Sequence, residues 1–344
     1  MKFKNIIAFL LLITFLLVFQ TNSLSAEVAS KCFVHFIDVG QADCVLVKSA
    51  NATILIDAGN RDDSTSIIKY LKTQGVKSID LAVGTHPHED HIGGLADILK
   101  AVPVKKLMMP KVTTNTKTFE YLLTTIKKKG MKIASPNVGE KLTYGNMVFT
   151  VMAPNGSVYE DMNNYSIVLK LQNGTNSFLF TGDAEDISEA EMLSKSTVKA
   201  SLKADVLKVG HHGSANSSTD EFLDVVKPKY AVIPVGKGND YGHPAKSTIE
   251  RLQSRNINVF RTDLNGTIVA TSDGKNLTFN KKVVQSNNST KTNLERVVYF
   301  TPKGKSYHYT RSCRTLSKSK TILQGTIQEA VQSGHGDPCD VCTK

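Results

Sequence analysis

The chain has 344 residues, 40% of them hydrophobic, and a formal net charge of +11. That length and apolar content suit one large domain plus a small one, or two medium domains, each with its own core. Five cysteines, an odd count, exclude a fully paired disulfide framework.

In chain order, Lys2 and Lys4 precede an apolar run from Ile6 to Phe19, and small residues follow at Ser23, Ser25 and Ala26. This is the pattern of a secretory signal peptide over residues 1–26. The run is shorter than the roughly 17–25 residues of a membrane span, and an uncleaved anchor is the alternative. No cysteine follows in lipoprotein style, and no second apolar run of that length occurs. The mature chain is therefore expected to be soluble and exported, secreted or held at the cell surface, with no stable membrane span. Cleavage removes two lysines and no acid, leaving +9. Such a charge favours polyanions such as nucleic acid or teichoic acid. A merely lysine-rich exported protein would carry it too.

The polar segment "SNNSTKTN" (Ser286–Asn293) reads as a linker, placed at 284–294. It divides a body, 27–283, from a tail, 295–344. No internal repeats occur. In the body, "CFVHFIDVG" and "CVLVKS" are strand-like, joined by a turn at Gly40–Asp43. "ATILIDAGN" and "IDLAVGT" are strands flanking the helical spacing of "STSIIKYLKTQG". "GGLADILKAV" is a helix. "YSIVLKLQ", "SFLFTGD", "ADVLKVG" and "YAVIPVG" are short apolar runs between turn residues, as expected of buried strands. The mixture predicts a layered α/β fold. His35, inside a strand, is expected to be a core residue.

"THPHEDHIGG" (Thr85–Gly94) holds three of the nine histidines, after a strand end and before a helix. His86, His88, Asp90 and His91 are ligand types for zinc or a similar divalent ion. A loop can turn the first two to one side and the Asp-His pair to the other, with Gly93 and Gly94 allowing tight folding beneath. Two ions roughly 3.5–4 Å apart can share a hydroxide. Further on, "FLFTGDAE" ends a strand in Asp183, "DVLKVGHHGS" ends another in His211 and His212, and "YGHP" adds His243.

These pieces resemble the metallo-β-lactamase superfamily of hydrolases. "ILIDAG", "THPHEDHIGG", "TGDAE" and "VGHHGS" occur in the family's order and cover about residues 32–280. Within it the chain looks most like the hydrolase domain of bacterial DNA-internalisation competence proteins, through "FIDVGQAD", "NNYSIVL", "LKVGHHGS" and "YGHP". Secreted phosphorylcholine esterases share the pattern. The resemblance implies a four-layer αβ/βα sandwich with two divalent metal ions, zinc or manganese, at one edge. His86 and His88 would hold one ion. Asp90 and His91 would hold the other, with one of His211 and His212. Asp183 would bridge, and Asp57 of "LIDAG" would orient the ligand loop. Comparison of "HG" pairs favours His212; strand phase does not decide.

One departure stands out. Most members of the superfamily supply a third histidine to the first ion, yet no histidine lies between His91 and His211. "MNNYS" occupies the expected place, putting Asn163, Asn164 or Ser166 near it. Water or a phosphate oxygen would then complete that ion, which makes manganese more plausible. His243 is a candidate to act on the leaving group or to bind phosphate. Asn164, Ser166, Lys208, Ser214 and Glu185 are candidate substrate contacts, with structural roles as the alternative.

In the tail, His308, Cys313, Cys339 and Cys342 form a Cys₃His set with structural-zinc spacing. A tail this short needs a staple. It resembles the small zinc domain of the Ada DNA-repair protein over about residues 295–344; a disulfide is the alternative. Residues 291–344 carry nine Lys/Arg against four Asp/Glu, suiting an anionic partner.

The expected function is that of an exported, metal-dependent phosphodiesterase or nuclease acting on DNA or another phosphodiester polyanion, with Asp90, Asp183 and His243 central to catalysis. The alternatives are a cell-surface phosphorylcholine or teichoic-acid esterase, a carboxylic ester or lactam hydrolase, and, outside enzymes, a metal-containing binding module.

Overall fold

The computed structural model describes residues 31–284, 296–317, 319–335, 337–339 and 341–342. The signal-peptide segment and nearly all of the linker lie outside the described residues. The chain divides into two compact units, Met1–Val284 and Gln285–Lys344.

The first unit contains two mixed sheets. One is ordered β15-β14-β1-β2-β3-β4-β5-β6. Its strands are β1 (Cys32–Phe36), β2 (Val45–Ser49), β3 (Thr53–Ile56), β4 (Leu81–Val83), β5 (Leu107–Met108), β6 (Ile133–Ala134), β14 (Ile268–Ser272) and β15 (Leu277–Phe279). The other is ordered β13-β12-β11-β10-β9-β8-β7. Its strands are β7 (Lys141–Tyr144), β8 (Met147–Ala153), β9 (Val168–Asn173), β10 (Asn176–Phe180), β11 (Val206–Lys208), β12 (Tyr230–Ile233) and β13 (Asn258–Arg261). Each sheet is antiparallel on one side and parallel on the other, from β3 to β6 and from β10 to β13.

Why the apolar runs are unbroken follows from the side-chain period of two. Ile54 and Ile56 join the core between the sheets, while Leu55 between them faces helices. Val206 and Leu207 divide in the same way in the second sheet. The core between the sheets is dominated by Phe36, Phe149, Phe178, Phe180 and Phe260. A second core sits between the first sheet and the Ser64–Thr73, Leu95–Ala101 and Lys117–Lys128 helices. A third sits between the second sheet and the Asp186–Ser194, Asp220–Val226 and Lys246–Ser254 helices. Three cores separate four layers, αβ/βα, as expected of the metallo-β-lactamase fold. His35 is buried in β1 and pairs with the Tyr70 hydroxyl at 2.8 Å. No helix among the described residues is long and apolar enough to cross a membrane.

The second unit is small. Val297–Phe300 pairs antiparallel with Leu323–Thr326, and Ser306–Tyr307 pairs parallel with Asp337–Pro338. The helix Ile327–Gln332 opens with a reciprocal cap between Thr326 and Glu329. Its apolar cluster is Val298, Phe300, Tyr307, Ile327 and Ala330.

Candidate metal centre

The chemistry-bearing residues lie just past the carboxyl ends of parallel strands, where α/β sheets bind ligands. Asp57 follows β3, Thr85 and His86 follow β4, Asp183 follows β10, and His211 and His212 follow β11. His88 caps a single helical turn, Glu89–Ile92, so Asp90 and His91 sit on that turn and not in open loop. Gly94 is needed for close approach: a Cβ there would lie 2.3 Å from Ala58 O. Its amide also donates to Gly59 O, and Ala58 N donates to His91 O, which joins this turn to the loop after β3.

Asp57 takes the left-handed conformation, φ 59°, which an Asp tolerates. Its carboxylate accepts from Thr85 N and Thr85 Oγ1, both at 2.8 Å, and from His91 Nδ1 at 2.9 Å. The His91 proton therefore sits on Nδ1 and Nε2 faces the cluster, as a carboxylate behind a metal-binding histidine arranges. His212 is fixed the same way: Nδ1 donates to Pro234 O at 3.0 Å, and Nε2 points to Asp90 Oδ2 at 3.0 Å. Asp183 Oδ2 lies 3.1 Å from His91 Nε2 and 3.6 Å from His212 Nε2. Ligand atoms of Asp90, His91, Asp183 and His212 all fall within 4.8 Å of one another. Beside them His86 Nε2 and His88 Nδ1 converge to 3.0 Å.

The electrostatics suit a cation. Burial opposes charge on His91, yet Asp183, Asp90 and Asp57 outweigh it and raise its pKa well above the ordinary histidine value. His212 is raised likewise, burial being overcome chiefly by Asp183 and Asp90. His86 goes the other way, lowered by burial and by His91, and stays neutral. His91 Nε2 and Asp183 Oδ1 are buried without a hydrogen bond. Such atoms cost roughly 1–3 kcal/mol each if nothing satisfies them. Nitrogen and carboxylate donors of this kind fit a divalent ion.

His211 and His212 separate because both adopt the left-handed conformation, φ 46° and 50°, between Gly210 and Gly213. His212 is buried in the cluster. His211 is partly exposed, its Nδ1 2.9 Å from Glu185 Oε1 and its Nε2 3.9 Å from Asp183 Oδ2. His243 lies farther out, its ring 5.3 Å from that of His211. Burial, then the charges on His211 and His212, lower its pKa.

The residues expected to touch substrate have partners inside the protein. Asn164, Ser166, Lys208, Ser214 and Glu185 are all buried and engaged within the protein. Asn164 Oδ1 accepts from Glu185 N and Ser188 N at the start of the Asp186–Ser194 helix. Ser166 Oγ accepts from Asp183 N at 3.0 Å and lies 3.3 Å from His86 Nδ1, so "MNNYS" supports ligands from behind. Glu185 orients His211. Ser214 O accepts from Thr248 Oγ1, fixing a turn. Lys208 is 2% exposed, pairs with Asp43, and donates to Gly182 O at 2.6 Å. Buried charge forces that pairing, since a lysine this deep needs an anion.

Asp43 itself was missed by the reading of the sequence. It is buried, salt-bridged to Lys208, and 3.5 Å from His212 Nδ1. Its hint was an acid set between apolar Ala42 and Cys44 in "GQADC".

In the second unit, His308, Cys313, Cys339 and Cys342 bring ligand atoms within 4.8 Å of one another. No disulfide links them. Cys313 and Cys339 Sγ are 3.9 Å apart, close to the roughly 3.8 Å that tetrahedral zinc–thiolate bonds of about 2.3 Å would set. Burial opposes ionisation of Cys339, but hydrogen bonds from Thr315 and the Val341 and Cys342 amides lower its pKa to about 7. The cluster fits a small zinc-binding domain.

The fold and this metal-ligand cluster define a hydrolase-type α/β sandwich. Comparison with known proteins gives the same class: the pattern of the metallo-beta-lactamase superfamily matches residues 37–237, and the chain belongs to that superfamily. It is 35% identical over 253 residues to ComE operon protein 3 of Bacillus subtilis (strain 168), covering 68% of this chain and 32% of that protein. It is 30% identical over 240 residues to Recombination protein 2 of Haemophilus influenzae (strain ATCC 51907 / DSM 11121 / KW20 / Rd), covering 68% and 28%. It is 30% identical over 240 residues to Competence protein ComA of Neisseria gonorrhoeae, covering 67% and 31%. The chain thus spans about a third of the length of the curated relatives it matches.

Proposed function

We propose that the protein is a metal-dependent phosphodiesterase acting on DNA. The observation that carries this is the cluster of half-buried Asp90 with buried His91, Asp183 and His212, with His91 Nε2 and Asp183 Oδ1 left without hydrogen bonds. Asp90, His91 and His212 would hold one divalent ion, His86 and His88 the other, and Asp183 both. Divalent ions there, zinc or manganese, would act as Lewis acids on phosphoryl oxygens and activate water.

The chain's own residues set the rest. Asp57 and Pro234 O hold His91 and His212 in the tautomers that present Nε2. Glu185 holds His211 at the open side. His243, kept neutral by its lowered pKa, is suited to donate a hydrogen bond to a phosphate oxygen more than to deliver a full proton. The lack of a third histidine before Asp183 leaves room for a phosphate oxygen. The net charge of +9 left after cleavage near Ala26 attracts a polyanion. The likeness to competence proteins supports DNA as that polyanion.

The test is a panel with purified protein loaded with zinc or with manganese: single- and double-stranded DNA, RNA, bis-p-nitrophenyl phosphate, p-nitrophenyl phosphorylcholine and nitrocefin. DNA and the simple phosphodiester should turn over. Cleavage of the choline ester or the lactam alone would overturn the proposal. We also propose export, on the N-terminal pattern ending near Ala26. Mass spectrometry of secreted protein should find an N-terminus between Ser25 and Ser30, and full-length protein kept in the cell would count against it.

A further inference from the structure

At the open side of the cluster three rings stand in a row. His211 Nε2 is 3.9 Å from Asp183 Oδ2. The His243 ring meets His211 edge-on, centroids 5.3 Å apart and planes at 77°. The Tyr241 ring then stacks on His243, centroids 5.8 Å apart and planes 26° from parallel. Tyr241 is 73% exposed, and His243 is its one ring neighbour among the described residues. The tyrosine ring is therefore largely open to solvent, two ring contacts from His211, which lies beside Asp183.

The loop that presents this ring is built. Asn239 Oδ1 accepts from Tyr241 N at 3.1 Å and His243 N at 3.0 Å. Its Nδ2 donates to Gly236 O at 3.0 Å and His243 O at 2.7 Å. Gly236 N donates to Gln41 Oε1 at 3.0 Å, and a Cβ on Gly236 would lie 2.6 Å from Gln41 N. Beyond Pro244, Ala245 N donates to Gly213 O at 2.8 Å, tying the loop to the His211–His212 turn. One side chain thus closes the loop, and its ends are anchored to the segment that carries Asp43 and to the turn that carries His212. The backbone that presents this aromatic is thus ordered in advance, which lowers the cost of binding.

We infer that Tyr241 is a stacking platform for a nucleobase of a single-stranded nucleic acid, placing an adjoining phosphate at the metal centre. This rests on the phosphodiesterase reading above and narrows its substrate. A duplex hides base faces inside its stack, whereas a single strand offers them. Aromatic platforms of this kind accept any base and therefore bind without sequence preference. A quaternary ammonium group calls for a cage of several aromatic walls, and here there is one tyrosine beside histidines.

The experiment uses the full, metal-loaded chain. Cleavage of a single-stranded oligonucleotide is compared with an abasic strand of the same backbone, the matching duplex and p-nitrophenyl phosphorylcholine. Tyr241→Ala should raise KM for the single strand roughly 5- to 150-fold, the range for loss of one base–aromatic stack, with kcat little changed. Tyr241→Phe should restore it. On the abasic strand Tyr241→Ala should change nothing. Wild-type KM in Tyr241→Ala on the single strand overturns the platform while leaving the phosphodiesterase reading intact. Equal losses on intact and abasic strands also overturn it, because the ring would then act through the loop. An effect confined to the choline ester makes the ring a choline contact and overturns it. If the wild type cleaves neither strand, the phosphodiesterase reading falls and the platform with it.

Discussion

His211 and His212 are adjacent in sequence and opposite in surroundings. Two successive left-handed residues cost about 1–2 kcal/mol each, and the strain sends one ring inward and its neighbour outward. No periodicity in "VGHHGS" encodes that kink, so the sequence left the choice open. By contrast, the spacing of His86, His88, Asp90 and His91 was legible, because ligand types crowded after a strand end have few other uses. Asp43 left only a faint hint for another reason: its role exists only once Lys208 of β11 folds against it. The His211–His212 geometry gives a test. His212→Ala should lose about one metal equivalent by elemental analysis, while His211→Ala keeps its metal and loses activity; equal metal loss in both would refute the assignment. A pH test follows from the raised pKa values of His91 and His212. A ring that carries both protons must give one up before its Nε2 can bind an ion. Metal affinity should therefore rise with pH below those raised pKa values and weaken in acid. Calorimetry in buffers of different ionisation enthalpy should register proton release on metal binding, increasing as pH falls. Binding with no proton release would contradict it.

Among the elements, β3, β4, β10, β11 and β12 were readable because they are buried on both faces and appear as unbroken apolar runs. β7 and β14 were not read: in β7 alternate residues are open to solvent and the sequence looks like ordinary polar chain, while β14 alternates buried with half-buried residues in a short Ile-Val-Ala-Thr-Ser run. β5 and β6 are two residues each, too short for any period. The glycine pair after His91 was read as allowing tight folding, and the structure specifies how. Gly93 and Gly94 have ordinary backbone angles, φ −54° and −79°. What requires glycine is the loop after β3, which lies where a Cβ would sit. Gly94→Ala should force Ala58 away, and with it the loop that positions Asp57 behind His91. A loss of about 1–3 kcal/mol in urea unfolding is expected, the usual range for overpacking, together with weaker metal binding. A variant as stable as wild type, with unchanged metal content, would show that the two loops do not depend on that contact.

At the scale of the whole molecule the two units face different problems of stability. The first has three apolar cores. The second has an apolar cluster of five buried residues. Chains of that size seldom stay folded on hydrophobic burial alone. The remaining stabilisation is expected from the Cys₃His cluster, whose atoms already lie at ligand spacing. Zinc and a disulfide make opposite predictions in the intact protein. If zinc holds the unit, a strong chelator should expose residues 296–342 to protease while the first unit resists, and a reductant alone should do nothing. Cys339→Ser, and separately Cys342→Ser, should each remove about one equivalent of zinc and leave turnover of a small phosphodiester unchanged, since the first unit supplies the proposed catalytic ligands. If a disulfide holds it, reduction should open the unit and chelation should not. The 3.9 Å between Cys313 and Cys339 Sγ favours the metal, because a disulfide requires about 2.05 Å. The comparison of chelator with reductant, read by proteolysis, therefore decides which staple this unit uses.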